Sequence, residues 1–207
     1  PGAYQLDQQD FKFNILYTDP SPLNYITPVE GTSFPVPSPS NPEDRVAETP
    51  LLKVFNVDKL NYNNDPQAGG DGFFDFIQGL TVDTQNGRLI FTTVEPFGKL
   101  LFEKLRTDAA EDYDGDQNSS IDYNPNQKKY VFKNMYRQTQ ASALQEGDKN
   151  KFQLRGKFKS AGGDGIPIGA FNVPKGSVVV TAGGRVLQEG IDYSVNYQAG
   201  RVQILDP

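Results

Sequence analysis

An α+β fold weighted towards β is what this sequence predicts, and three observations carry the prediction. Short runs of alternating or continuous apolar residues recur between turn residues, as antiparallel strands require. Gly occurs 20 times and Pro 15 times in 207 residues, so turns are many and long helices few. With no Trp, no Cys and one Met, the 14 Phe and 10 Tyr must supply much of the core. The reading is antiparallel sheets and hairpins with two or three short helices. It divides into a domain over residues 1–160 and a C-terminal β-meander over 161–207.

The elements follow in chain order. Phe11, Phe13, Ile15 and Tyr17 alternate with Lys12, Asn14 and Leu16, which predicts a half-buried strand stopped by Asp19-Pro20. Residues 31–50 hold five prolines among Ser and Asn and predict an extended or mobile surface loop. Thr49-Pro50 offers an N-cap and a first-turn proline, and Leu51, Leu52 and Phe55 give a short helix ending near Leu60. Leu80–Thr84 and Arg88–Val94 flank Asn86-Gly87, a strong hairpin signal. Phe97, Leu100, Leu101 and Leu105 share a helical face.

Residues 107–128 are acidic and read as an inserted loop. Tyr130–Gln145 reads as one helix with Val131, Met135 and Tyr136 on a face. In 151–159, Phe152, Leu154 and Phe158 are predicted to face the core and the basic residues to face water. After the Gly162–Gly165 loop, three β-type runs between glycine turns give the meander. Gln85-Asn-Gly-Arg and Gln198-Ala-Gly-Arg echo one another, as shared hairpin chemistry would produce. The chain starts Pro1-Gly2 and stops just past an apolar run, so it reads as a piece of a longer protein whose last strand pairs with, or leads into, structure beyond it.

Composition narrows the function. A net charge of −6 argues against a nucleic-acid partner, because phosphate neutralisation needs clustered Lys and Arg. Absent His removes the commonest general base, and absent Cys removes disulfides and thiolate metal sites. Ser177 and Ser194 therefore have no His to activate them. No apolar run reaches the ~20 residues of a membrane helix. The reading is a non-enzyme.

One metal candidate is calcium at Asp114, Asp116, Asn118 and Asp122, since hard cations need oxygens at alternate positions of a turning loop. The loop departs from that pattern where Ser119 replaces a glycine and Pro125 replaces a closing acid. A weaker candidate joins Asp65, Asp71 and Asp75, which also suit ordinary Asx-turns. Phe73, Phe74 and Phe76 cluster beside acidic turns, and Tyr193, Val195 and Tyr197 share a strand face; such rings pack a core or bind a partner or a glycan.

Several blocks resemble one family in order along the chain. They are Tyr4-Gln-Leu, Asp10-Phe-Lys-Phe, Asp71-Gly-Phe-Phe-Asp-Phe, Asn86-Gly-Arg-Leu-Ile-Phe, Glu95-Pro-Phe-Gly, Val173-Pro-Lys-Gly-Ser-Val, Glu189-Gly-Ile-Asp-Tyr and Gly200-Arg-Val. They are similar to the gliding-motility SprA family. The resemblance implies the outer-membrane translocon of type 9 secretion, a giant β-barrel that exports folded cargo. It implies a soluble, non-catalytic part of it in the cell envelope, docking other parts of the translocon, accessory proteins or exported cargo. No catalytic residues carry over. The Pro-rich and acidic stretches exceed the family's pattern. A carbohydrate- or surface-binding adhesin module is the first alternative, and a calcium-dependent hydrolase using an Asp/Glu pair the second.

Overall fold

The computed structural model describes Leu6, Gln8 and residues 11–158 and 165–205. Two compact units, Pro1–Lys159 and Ser160–Pro207, divide the chain. The fold is α+β, with antiparallel sheets and, among the described residues, five short α-helices where two or three were expected.

In the first unit, β1 (Lys12–Tyr17) pairs antiparallel with β4 (Phe152–Lys157), placing Phe13 opposite Gly156 and Tyr17 opposite Phe152. Phe13, Ile15 and Tyr17 enter the core as the alternation predicts, and Leu16 is buried on the other face as well. β4 departs from the expectation. Phe152 packs on Tyr17, Phe55 and Phe97, but Leu154 and Phe158 are 46% and 47% exposed. Among the described residues β4 is the outer strand of a two-stranded sheet, so its apolar face lacks cover on that side. Lys159 lies outside the described residues.

Between these strands the chain winds through short helices. α1 (Leu51–Val54) buries three of its residues. Its cap position belongs to Pro50, and Thr49 instead donates its hydroxyl to the Ala47 carbonyl at 3.0 Å. The helix ends at Phe55 rather than near Leu60, because Asn56 turns into the left-handed region at φ 58°. β2 (Val82–Asp83) and β3 (Arg88–Leu89) form the predicted hairpin, shortened to two residues a strand. A π-helical turn over Pro96–Leu100 leads into α2 (Leu101–Lys104), which delivers Phe97, Leu101 and Phe102 to the core.

The helix expected over Tyr130–Gln145 is broken into pieces. α3 (Pro125–Tyr130) starts inside the stretch read as a loop, with a complete capping box between Asn124 and Gln127. The chain then extends through Val131 and Phe132, both buried, before α4 (Asn134–Arg137) and α5 (Gln140–Gln145). Burying Val131 and Phe132 in the core is incompatible with a continuous helix whose face is exposed at Met135. The two irregular stretches are also tied down. Phe34 and Val46 anchor the Pro-rich segment, and Tyr113 and Tyr123 anchor the acidic one, all inside one core cluster with Phe55 and Phe102.

In the second unit, β5 (Ile166–Pro167), β9 (Arg201–Ile204) and β8 (Tyr193–Asn196) form a three-stranded sheet in that order. β6 (Thr181–Ala182) and β7 (Arg185–Val186) form a separate hairpin. The predicted meander is thus two hairpins, and β9 is the central strand of its sheet. Residues 162–164 of the glycine loop lie outside the described residues. The two echoing segments are both hairpin turns of one design. Asp83 accepts the Asn86 amide and Asn196 accepts the Ala199 amide, with Gly87 and Gly200 following at φ 60° and 61°. Among the described residues no helix is long and apolar enough to cross a membrane.

A candidate docking groove

An apolar groove of about 840 Å³ lies at one end of the β1–β4 sheet in the first unit. Phe11 and Phe13 from β1 and its approach, and Gly156 from β4, line it on the sheet side. Phe74 and Phe76 line it from the loop after the glycine turn. The rings pack edge to face: Phe11–Phe76 centroids stand 5.2 Å apart and Phe13–Phe74 5.1 Å. Such pairs are worth about 0.5–1.5 kcal/mol each beyond burial, so they shape a slot, not a flat platform. Phe73 at the rim is 68% exposed and Tyr62 is 65% exposed. The sequence singled out Phe73, Phe74 and Phe76. It gave no hint that Phe11, Phe13 and Gly156 complete the same surface.

Carboxylates hold the loop wall in place. Asp58 accepts the Asp71 amide at 2.9 Å and the Gly72 amide at 3.1 Å. Asp75 accepts the Lys59 and Leu60 amides at 2.8 and 3.0 Å. Asp71 accepts the Phe73 amide at 2.9 Å, the Asx-turn weighed against a metal site. Segments 57–60 and 71–75 are therefore laced by side chains where no β-ladder exists. Asp65 contributes no carboxylate contact to this lacing.

Burial pushes the Asp58 carboxyl above its ordinary range, against the two amides that pull it down. A raised folded pKa means the native state holds the proton more tightly than the unfolded chain. The group's contribution to stability is then largest below the unfolded value, about 4, and falls as pH rises through the folded value. Relative to wild type, Asp58→Asn is expected to gain melting temperature as pH rises from about 4 to about 7. A drift in the opposite direction would overturn this assignment of burial as the dominant influence.

A second recess of about 780 Å³ is lined by Glu43, Arg45, Lys53, Lys59 and Gly70 among others. Glu43 pairs with Lys59 at 3.6 Å and Arg45 with Glu48 at 3.2 Å. Nearby, the buried Lys104 amine reaches Asn56 Oδ1 at 3.3 Å and Asp44 at 3.7 Å, and burial lowers its pKa. Arg45, Lys59 and Lys104 are matched by structural partners, and their arrangement suits scaffolding.

The calcium candidates sit on the acidic segment, and one oxygen of each of the three carboxylates is already engaged. Asp116 accepts the Asn118 amide at 2.9 Å, Asp122 accepts the Asp116 amide at 3.1 Å, and Asp114 pairs with Arg137 at 3.4 Å. Among the described residues no three acidic groups gather at metal-ligand spacing. A native-state ligand must raise the melting temperature, so calcium against EDTA reads the site directly. With one oxygen of each carboxylate already engaged and no three acidic groups gathered among the described residues, equal melting temperatures are expected. A calcium-dependent rise of several degrees, lost in Asp116→Asn, would restore the loop as a calcium site.

The meander aromatics divide. Tyr193 is buried and donates to the Val178 carbonyl at 3.1 Å. Tyr197 donates to Glu189 at 2.6 Å and accepts the Gly176 amide at 3.0 Å. Both hydroxyls fix local structure. No protein-family model matches the chain, and no curated protein matches it.

Proposed function

We propose that this chain is a non-catalytic docking module whose aromatic groove receives a partner segment, within an outer-membrane protein-export translocon of the type 9 kind. The observation that carries docking is the groove itself: an exposed apolar slot built on a laced, rigid wall, where binding surfaces concentrate energy on aromatic anchors. The ordered blocks that resemble the SprA family support the system, and with it the cell envelope as location. Other parts of the translocon, its accessory proteins or its exported cargo are the partners this implies. The lack of His and Cys in the chain, with Arg45, Lys59 and Lys104 held in structural pairs, supports a non-enzyme. Covalent capture at Phe73 in the intact envelope protein tests the reading. A partner segment captured there supports it; capture no greater than at an unrelated exposed apolar residue overturns it.

A carbohydrate-binding adhesin module is the second reading, favoured by the exposed Phe73 and Tyr62 rings. A glycan-array signal lost on Phe73→Ala would select it.

A further inference from the structure

We infer that the groove's occupant is an extended acidic peptide segment bearing an aromatic or bulky apolar side chain, an inference that rests on the docking reading above. Three independent observations define this chemistry.

The first is Gly156. It sits inside β4, directly opposite Phe13, in a strand where glycine is otherwise unfavourable. It has no positive φ. A Cβ there would meet Lys12 O at 3.4 Å and Phe13 Cδ2 at 3.8 Å, both ordinary contacts. The backbone therefore does not require glycine. Gly156 is exposed and lines the groove, so its missing side chain leaves room beside the Phe13 ring edge for another chain's side chain.

The second is charge. Lys12, Arg155 and Lys157 edge the groove on the sheet side, although the chain as a whole carries −6. None of the three forms an ion pair among the described residues. On the opposite side the carboxylates of Asp71 and Asp75 are turned to backbone amides. A partner's carboxylates thus meet unmatched cations along one edge, the arrangement that sets specificity and on-rate.

The third is shape. Leu154 and Phe158 are exposed on the apolar face of an outer strand beside Gly156. An extended segment laid along β4 covers both, as peptides that add to a sheet edge do. Tilted rings receive an aromatic side chain edge-on, whereas a sugar ring asks for an open face.

The test uses the 207-residue chain and two fluorescein-labelled decapeptides, one alternating Glu and Phe, the other alternating Lys and Phe, followed by anisotropy. The acidic peptide is expected to bind at least ~10-fold more tightly, with affinity falling as salt rises. Gly156→Val, which fills the space, and Arg155→Glu with Lys157→Glu, which reverses the edge, are each expected to weaken it ~10-fold while the melting temperature holds. Equal binding of both peptides, still lost in Gly156→Val, overturns the acidic occupant and leaves docking standing. No binding of either peptide, with unchanged capture at Phe73 in the Gly156→Val envelope protein, overturns both. Binding that is indifferent to Gly156→Val places the peptide elsewhere and also overturns the inference.

Discussion

Glu111→Ala is expected to lower the main unfolding transition by roughly 10 °C. Glu111 lies buried at the centre of the acidic segment and collects four donors. Thr107 gives its amide at 3.2 Å and its hydroxyl at 2.7 Å, Gln127 its side-chain amide at 2.7 Å, and Asn124 its side-chain amide at 3.0 Å. Gln127 is fully buried and also spans to the Phe102 carbonyl at 3.1 Å. Its own oxygen closes the capping box by accepting the Asn124 amide at 2.8 Å. Removing the carboxylate orphans buried donors, each costing about 1–3 kcal/mol. A total of about 4 kcal/mol corresponds to roughly 10 °C for a unit of this size. Glu111→Gln keeps the shape but turns an NH₂ towards those donors, so it should fall between wild type and Ala. Thermal denaturation followed by circular dichroism reads both. A loss below about 3 °C for Ala would mean that solvent satisfies these donors and that the segment is the inserted loop its composition suggests.

The second large effect is Gly70→Ala, expected to cost about 3 kcal/mol and to loosen the groove wall. Gly70 adopts φ +63°, and a Cβ there would lie 2.0 Å from Asp58 Oδ1 and 2.6 Å from the Asp58 carbonyl. The carboxylate can swing away, but the carbonyl is backbone. Displacing Asp58 frees the Asp71 and Gly72 amides that it holds. The neighbouring Gly69 supplies an internal control. It has φ +81° with nothing within 4 Å, so Gly69→Ala carries backbone strain alone, on the order of 1 kcal/mol. Equal losses at the two positions would show that the Asp58 lacing contributes little. Faster amide exchange at Asp71 and Gly72 in Gly70→Ala alone would show the wall opening.

What could be read from the sequence divides by physical cause. The alternation of Phe13, Ile15 and Tyr17, the Asn86-Gly87 turn and the apolar face of Phe97 and Leu101 are local patterns, and the structure keeps them. The side that Leu154 and Phe158 face was equally legible, but not their exposure. Alternation says which way a side chain points, while cover depends on what lies beside the strand. Residues 107–128 misled for a related reason. Charged composition reads as solvated, yet Glu111 is satisfied by Gln127, sixteen residues on, after the chain has turned back. The groove shows the same limit. Phe73, Phe74 and Phe76 stood out as a cluster, but Phe11, Phe13 and Gly156 come from distant segments that only the β1–β4 pairing brings together.

Covalent capture at the groove tests the central claim most directly. Phe73 is replaced by photoreactive benzoylphenylalanine in the intact protein, with Val94, 83% exposed and outside the groove, replaced likewise as the control. The account predicts one dominant adduct from position 73, none from position 94, and loss of the position-73 adduct in the Gly156→Val background. Adducts of equal yield at the two positions, or a position-73 adduct unaffected by filling the groove, would contradict it.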